Sequence, residues 1–454
     1  MYHTTEFIVI ELFAKEKPLI IGLQNPNYRR FFHMDFNTLL ARFGFDSSNF
    51  VNKELVPIEF EGGVIYEVEE IYRQRICPYC NNQVLHIHNR RWLEIKLSST
   101  IGVKEYLRIK RIRYKCPNCG KTHTFELVGI DRNKTISEFV ITAIRKEFFE
   151  IQSFTTIAKR YDISVMKVIN IFDKYTKIVP RRPLPKYLCI DEKHFISDNG
   201  KYAVVISDFF SGEIIDVIIN RQLPYLNEYF SSITSKEREN VKVFISDMYD
   251  NYSTIKNKFF ANALFVVDLF HVIKLLTTAV NQLRIKTYNQ CSQENNVEKQ
   301  FMKTNWRYFL MDESKIYKNE YYSKKFNVYI PYGEIVLRCL KKNKDFWDGY
   351  NVMQELLHYD KYDSYKEAEN FMDRIIAKLI STGNELLCKV ADSYKKWKPG
   401  IINGLSKKQS GKRFSNSIAE SNNSHIQRVI NVAYGYKNFA RFRARIMLLM
   451  TYKK

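Results

Sequence analysis

YLCID at 187–191 is the first of five similar runs that together indicate how this chain folds. The other four are KYAVVISDF at 201–209, EIIDVIIN at 213–220, VKVFISD at 241–247 and ALFVVD at 263–268. Each run is short and rich in β-branched and aromatic residues, and turn-forming or polar segments separate the runs. Such runs are typical of strands that bury at least one face in a sheet. We therefore predict a strand in each run, followed by mainly helical structure from about residue 269 to the end of the sequence.

Three of these runs end at an aspartate, and two of the three are the candidate catalytic acids. Asp191 ends the first run and Asp247 the fourth, so both can meet at one edge of a sheet. A third acid, Glu420, lies alone in a basic helical segment near the C-terminus. Phosphodiester cleavage by in-line displacement benefits from two divalent ions, and Mg²⁺ takes carboxylate ligands. Each acid alone fits a solvated strand end or a cap, and only the combination favours a metal-dependent catalytic site.

Charged residues beside the two aspartates are predicted to support them. Glu192 adjoins Asp191 but points to the opposite face if the strand continues, which favours a supporting or structural role over metal binding. Asp268 ends the fifth run, and with His271 three residues later it could position metal ligands or DNA. Asp216, in the third run, is predicted to face solvent.

Upstream of the strands, four of the eight cysteines form two CPxC pairs joined by segments of alternating polarity at 92–97 and 106–114. Two such turns supply the four thiolates of a tetrahedral Zn²⁺ site. We predict a structural zinc ion in a small ribbon-like module; the alternatives are four ordinary cysteines or a redox CxxC. The predicted ligands are Cys77, Cys80, Cys116 and Cys119.

Residues 153–172 fit two amphipathic helices joined by a short turn. Ile157 and Ala158 would pack inside, and Ser164 could cap the second helix. In a helix-turn-helix the second helix enters the DNA major groove, where Lys167 and Asn170 would face. A helical hairpin is more often merely core, and the basic module upstream favours DNA binding. The predicted buried stripe of the second helix is Val165, Val168, Ile169 and Phe172.

The positive charge is concentrated in two blocks. The chain has 71 Lys and Arg against 49 Asp and Glu, a net charge of +22; residues 71–125 hold 12 of the bases with 2 Glu, and residues 401–454 hold 11 with Glu420 as their single acid. Two basic blocks on an otherwise balanced chain indicate nucleic acid bound at two places. For Arg441, Arg443 and Arg445, DNA contact and a solvated helix face fit equally well. The candidate DNA contacts in the second block are Lys407, Lys408, Lys412, Arg413, Asn423 and Arg428.

The bulk composition excludes other classes. With 454 residues, 45% of them hydrophobic, the chain can bury several cores and is not mainly disordered. No apolar run approaches the roughly 18 residues of a membrane span, and the N-terminal stretch lacks the pattern of a secretory signal. We expect a cytoplasmic protein in a reducing compartment, with no membrane partner.

Several motifs together resemble the ISL3-type family of bacterial insertion-sequence transposases. They are the CPxC pairs, Ile190-Asp191-Glu192, the segment SDMYDNY at 246–252 leading to VDLFHVIK at 267–274, and a C-terminal pattern of FSN at 414–416, Glu420, Asn423, Ile426, AYGY at 433–436 and Phe439. The resemblance implies a DDE triad of Asp191, Asp247 and Glu420 in a ribonuclease-H-like fold, with a helical insertion before the glutamate. It also implies that the triad binds Mg²⁺ or Mn²⁺.

We therefore expect a multidomain α+β DNA transposase that binds terminal inverted repeats, cleaves DNA and joins it to target DNA, acting as a homodimer or higher oligomer on the bacterial nucleoid. The alternatives are a catalytically inactive DNA-binding regulator derived from a transposase and a metal-dependent DNA nuclease. The expected domains are 1–70 of unassigned role, a zinc-binding ribbon-like module at 71–128, a helix-turn-helix at 129–180, a ribonuclease-H-like α/β catalytic core at 187–273 plus 401–454, and a helical insertion at 274–400.

Overall fold

The computed structural model describes residues 35–51, 57–60, 62–100, 103–128, 135–197, 200–291, 297–316, 320–323, 328–359, 362, 364–406, 408–409 and 412–450. The chain divides into two compact units. One unit spans the chain up to residue 147 together with 154–175, and the other comprises 148–153 and the residues from 176 onward. Each unit is described by itself.

The first unit is built on a sheet in which a long antiparallel hairpin, β3 with β4, pairs on its β4 side with β2 and then β1, while β5 pairs with the end of β4. A helix, α1, packs on one face of this sheet through Phe36, Leu39 and Leu40. The predicted alternating segments at 92–97 and 106–114 are thus confirmed as strands. The elements are α1 (Phe36–Arg42), β1 (Ile58–Phe60), β2 (Gly63–Glu69), β3 (His86–Thr100), β4 (Val103–Lys115) and β5 (Thr122–His123).

The sheet continues across the domain boundary expected at residue 70, because β2 runs parallel to β4 from Gly63 to Glu69. Acids near β2 also pair with bases of the first basic block. Arg108 binds Glu67 at 3.0 Å, and Arg111, which is buried, binds Glu70 at 2.8 Å. Part of the positive charge at 71–125 is therefore neutralised within the unit and is not available to a polyanion.

Three helices complete the first unit. Ile157 and Ala158 are buried as predicted, and the Ser164 hydroxyl accepts a hydrogen bond from the Lys167 amide at 3.2 Å. The predicted stripe of the last helix needs correction: Val165, in the first turn, is 37% exposed, whereas Ile171 is buried beside Val168 and Phe172. The three helices are α2 (Glu138–Glu147), α3 (Phe154–Tyr161) and α4 (Val165–Tyr175).

The second unit contains a mixed five-stranded sheet in the order β10-β9-β6-β7-β8. The first three strands in sequence, β6 to β8, pair antiparallel, and β9 and β10 add in parallel to β6. All five predicted strands are confirmed, although β6 continues past Asp191, which is therefore an internal residue of its strand. The strands are β6 (Tyr187–Ser197), β7 (Gly200–Asp208), β8 (Ile214–Ile218), β9 (Val243–Ser246) and β10 (Leu264–Val267).

A helical region follows β10 and has its own apolar core. Its last helix covers the edge strand β10, where the Asn403 side chain donates to the Phe265 carbonyl at 2.8 Å. An edge strand capped in this way is protected from pairing with other chains. The elements are α5 (Leu223–Ser231), α6 (Ser235–Glu239) and α7 (Asp250–Phe259) between the strands, then α8 (Leu269–Gln290), α9 (Val297–Thr304), β11 (Glu320–Ser323), β12 (Val328–Pro331), α10 (Tyr332–Leu340), α11 (Lys344–Leu357), α12 (Tyr365–Ser381) and α13 (Glu385–Ser406).

The described part of the chain closes with a short hairpin and two helices. The hairpin is β13 (Lys408–Gln409) with β14 (Lys412–Arg413), and the helices are α14 (Ser417–Val432) and α15 (Phe439–Met450). Two arginines of α15 are structural. Arg443 binds Asp216 at 2.6 Å, and buried Arg445 donates to the backbone carbonyls of Phe148, Glu150 and Gln152. Asp216 is correspondingly buried, which corrects its predicted exposure to solvent.

Candidate functional site

The register of the parallel strands places three aspartates in one row. Cys189 of β6 pairs with Ile245 of β9, and Ser246 of β9 pairs with Val267 of β10. Counting on from these pairs brings Asp191 level with Asp247, and Asp247 level with Asp268. Neighbouring strands lie about 4.8 Å apart, so the three residues stand side by side. The two predicted catalytic aspartates are thus brought together at this level of the sheet, with Asp268 next to them.

The aspartates are held where water cannot easily stabilise their charge. Burial, together with the charges of Asp268 and Glu192, raises the pKa of Asp191 to about 6. Burial, then the charges of Glu192 and Asp191, raises the pKa of Asp247 to about 7. Close, buried carboxylates resist becoming negative together, and a nearby cation would relieve this resistance.

Helix α14, which carries the third predicted acid, is bound to β6 beside Asp191. The amide side chain of Asn416 donates to the Ile190 carbonyl at 3.0 Å, and that of Asn423 donates to Asp191 Oδ2 at 2.7 Å. Positions 416, 420 and 423 lie four and three residues apart, so they share one face of the helix. Glu420 therefore lies on the helix face that docks against β6, between two residues that bind the strand beside Asp191.

Asp268 and His271 link this helix to the row of aspartates. Asp268, which is buried, accepts the backbone N–H of Asn416 at 3.1 Å and pairs with His271 Nδ1 at 3.2 Å. Burial lowers the pKa of His271, but the Asp268 hydrogen bond and the charges of Asp247 and Asp191 outweigh it, so that the pKa is raised. The aspartates thus favour the protonated form of His271.

Glu192 is held away from solvent by two partners. Arg221 donates to Glu192 Oε2, and the Tyr252 hydroxyl donates to Oε1 at 3.2 Å. The Arg221 guanidinium also lies 4.3 Å from the ring centre of Tyr202 and 4.9 Å from that of Tyr249. Sequence reasoning missed Arg221 because it follows β8 in a loop, where no periodic pattern marks it.

Oxygen donors in this site fit a hard divalent cation. Asp247 Oδ1 and Asn423 Oδ1 are both buried oxygens that accept no hydrogen bond from the residues that the structure describes. Mg²⁺ prefers carboxylate and carbonyl oxygens of this kind. The carboxylate oxygens of Asp191, Asp247 and Glu420 do not all lie within 4.8 Å of one another. Among groups of three or more His, Cys, Asp and Glu in the described residues, only the four cysteines meet this distance limit.

The four cysteine sulfurs, by contrast, are already arranged for one ion. The Sγ atoms of Cys77 and Cys119 are 3.7 Å apart and those of Cys80 and Cys116 are 3.5 Å apart. Four sulfurs at Zn–S distances of about 2.3 Å form a tetrahedron with edges of about 3.8 Å. Hydrogen bonds from the Cys119 and Asn118 amides lower the pKa of Cys116 to about 6, which favours the thiolate that zinc binds.

Both CPxC turns close in the same way. The amide of Asn81 donates to the Cys77 carbonyl, and that of Gly120 donates to the Cys116 carbonyl. Asn81 and Gly120 have φ values of 58° and 69°, a left-handed conformation that asparagine and glycine adopt most readily. The sequence thus provides at both turns a residue suited to this backbone.

The predicted DNA contacts are distributed unevenly. Asn170 and Arg428 are exposed, and Lys167 is half-buried. Asn423 is engaged with Asp191, so its amide serves the acidic site itself. Lys407 lies outside the described residues. Lys408 and Lys412 are residues of the paired strands β13 and β14. The Arg413 guanidinium lies 5.2 Å from the ring centre of Tyr359.

No helix in the described part of the chain is long and apolar enough to cross a membrane. In comparisons with known proteins, a protein of Lactococcus lactis subsp. lactis named ATP-dependent protease is 29% identical over 131 residues. The match covers 29% of this chain and 39% of that protein's length. The name of that protein is therefore not transferred to this chain.

Two family models match the chain. The model described as zinc-finger of transposase IS204/IS1001/IS1096/IS1165 matches residues 73–119, which include all four cysteines. The ISL3-type DDE model described as Transposase matches residues 188–446, which include the row of aspartates and Glu420. Because this second match spans more than half of the chain, the protein belongs to the ISL3 family of transposases.

Proposed function

We propose that the protein is a DNA transposase that binds the terminal inverted repeats of an insertion sequence and catalyses DNA cleavage followed by strand transfer. The observation that carries this proposal is the alignment of Asp191 with Asp247 on adjacent parallel strands, with Glu420 on the helix face that docks beside them. The sheet has three antiparallel strands followed in sequence by two parallel ones, and Asp191 and Asp247 belong to the adjacent strands β6 and β9. This arrangement supports the ribonuclease-H-like core that the family resemblance implies.

Asp191, Asp247 and Glu420 would hold the divalent cations, Mg²⁺ or Mn²⁺. Bound there, the cations would activate the attacking oxygen and stabilise the leaving oxygen of an in-line displacement. The protein's part is positioning: Asn423 fixes the Asp191 carboxylate, and Asp268 fixes both His271 and the start of α14. In the proposed reaction a water first frees a 3′-hydroxyl, and that hydroxyl then attacks target DNA, with no covalent protein intermediate.

The first unit would bind the transposon end. Its zinc-binding turns stabilise a module whose hairpin retains exposed bases, and α4 presents Asn170 to solvent after a capped first turn. These features support a helix-turn-helix role for α3 and α4, in which α4 contacts the major groove. Stable positioning of two ends also favours a dimer or larger oligomer on DNA, by analogy with other proteins that join paired DNA ends.

The test is an assay with a labelled duplex that carries the terminal repeat flanking the gene, a plasmid target and Mg²⁺ or Mn²⁺. A transposase yields cut and joined product, a nuclease yields cut product alone, and a regulator yields binding alone. Asp191→Asn, Asp247→Asn and Glu420→Gln should each abolish cleavage and spare end binding. Cleavage by a variant that lacks two of the three acids would contradict the mechanism.

A further inference from the structure

Tyr434 is the most unusual exposed aromatic residue of the second unit. Its side chain is 95% exposed, in the turn between α14 and α15. Among the described residues no hydrogen-bond partner of its phenol and no ring contact is found. An aromatic side chain that is almost fully exposed adds no buried apolar surface to the fold. Such a side chain indicates a surface that binds a partner.

The backbone at this residue is also strained. Tyr434 has a φ of 56° and Gly435 a φ of 95°, so two successive residues are left-handed. The turn is fixed because Tyr434 and Gly435 donate their amides to the Asn431 and Ile430 carbonyls. Glycine or asparagine is the usual residue in such a position, whereas tyrosine there is destabilising. Strain of this kind at an exposed side chain is a common feature of binding sites.

A polar face of α14 leads from the acidic site to this tyrosine. Beyond Glu420 the helix has no acidic residue. Its exposed side chains recur at helical spacing, so they form one surface opposite the buried residues Asn422, Ile426 and Val429. The exposed residues are Ser421, Ser424, His425, Gln427, Arg428, Asn431 and Val432.

The positive charge around Tyr434 indicates which kind of partner binds there. Arg428 and Lys437 are exposed on either side of the turn, in a block whose single acid is Glu420. The carbonyl end of α14 repels phosphate, whereas the apolar face of a base can lie against it. A base on Tyr434, with phosphates near Arg428 and Lys437, satisfies all of these groups together, whereas a second copy of this chain would bring further positive charge to the turn.

We infer that the exposed face of α14 binds DNA next to the cleaved bond and that Tyr434 stacks on a nucleobase of that DNA. This inference rests on the proposed function, because it takes the scissile phosphate to lie at Glu420. Tyr434 follows Glu420 by 14 positions. At a rise of about 1.5 Å per residue this corresponds to about 20 Å, or about six base pairs of DNA lying along the helix.

The experiment uses the full-length protein and the repeat-end duplex, with 2-aminopurine placed in turn at each position from four to eight base pairs from the cleaved bond. Stacking should quench the fluorescence at one position, and Tyr434→Ala should abolish this quenching and weaken binding on the order of tenfold. Tyr434→Trp should retain both. Tyr434→Gly should lose both while melting no lower than the wild type, which separates stacking from folding.

Two controls distinguish the alternatives. Tyr365→Ala, an exposed tyrosine on α12, should leave the quenching unchanged, and Arg428→Ala should reduce the slope of log affinity against log salt by about one, whereas Tyr434→Ala should not change it. Unaltered quenching in Tyr434→Ala, or a change in oligomeric mass without a change in quenching, would overturn the inference and favour a protein contact. If the wild type neither binds nor cuts the repeat end, the proposed function fails as well.

Discussion

Asn423 and Asp191, 232 positions apart in the sequence, are joined by a hydrogen bond of 2.7 Å from the asparagine Nδ2 to the aspartate Oδ2. The same Nδ2 also donates to the Glu192 carbonyl at 3.2 Å, and the Lys193 ammonium donates to the Asn423 carbonyl at 3.1 Å. Helix α14 is therefore tied to strand β6 at the position of the acids. Any change in this contact alters where Glu420 stands relative to Asp191.

Replacing Asn423 with alanine should lower cleavage by about 10- to 100-fold, because residues that orient a metal ligand typically have effects of this size. The midpoint of the Mn²⁺ dependence of cleavage should move to higher metal concentration. Asn423→Asp should be worse than alanine, since it would place a further negative charge against Asp191.

The matched control for this prediction is Asn257→Ala, the same change at an exposed position on α7. It should cleave like the wild type at all Mn²⁺ concentrations. An Asn423→Ala variant with the wild-type midpoint would show that the hydrogen bond does not position Asp191 for catalysis.

The zinc cluster should be necessary for the first unit to fold. A structural zinc site contributes on the order of 10 kcal/mol of binding free energy, which is comparable with the whole stability of a domain. Cys77→Ser should therefore lower the zinc content, expose residues up to 175 to proteolysis and abolish repeat-end binding. Cys388→Ser, outside the cluster, should have none of these effects. Normal zinc content and protease resistance in Cys77→Ser would refute a four-cysteine site.

The strands of the second sheet and the cysteine cluster could be predicted from sequence, because both follow from patterns of neighbouring residues. Alternating and apolar runs predicted every strand of the second sheet, and the CPxC spacing predicted the sulfur cluster. The role of Arg445 could not be predicted from sequence. A count of charges cannot distinguish a DNA contact from a buried guanidinium that donates to three backbone carbonyls. The pairing of β2 with β4, and the role of Asn423, depend on contacts between distant segments that no local pattern encodes.

Lys96 belongs to the first basic block by composition but to the core by structure. Its ammonium donates to the carbonyls of Tyr161 and Asp162 at 2.9 and 2.8 Å, and to the Asp162 carboxylate at 3.1 Å, at the left-handed turn between α3 and α4. Lys96→Met should destabilise the first unit by about 1.5–3 kcal/mol, since it leaves the partly buried Tyr161 and Asp162 carbonyls without the charged donor that binds them.

Lys104→Met is the control, because Lys104 pairs with the same carboxylate at 2.8 Å, but its side chain is 41% exposed, against 4% for Lys96. Its cost should be at most about 1 kcal/mol. Urea unfolding measures both. Lys96→Met should also leave the salt slope of DNA binding unchanged when measured well below its melting temperature; equal destabilisation by the two variants would contradict a core role for Lys96.

Gly404 of α13 allows this helix to approach strand β10. A Cβ at this position would lie 2.7 Å from the Val267 carbonyl oxygen, a backbone atom that cannot move without shifting the strand. Gly404→Ala should therefore destabilise the second unit by about 1–3 kcal/mol despite the better helix propensity of alanine. Because β10 leads directly into Asp268, the variant should also cleave more slowly than its loss of stability explains.

Gly349 of α11 provides the comparison for Gly404. A Cβ at Gly349 would meet only side-chain carbons of Leu283 and Leu387, at 3.3 Å, and these side chains can adjust. Gly349→Ala should be close to neutral or stabilising by up to about 1 kcal/mol, with normal cleavage. Thermal unfolding and cleavage rates of the two variants test the argument together. If Gly404→Ala matched Gly349→Ala in both, the contact of α13 with β10 would not determine the position of Asp268.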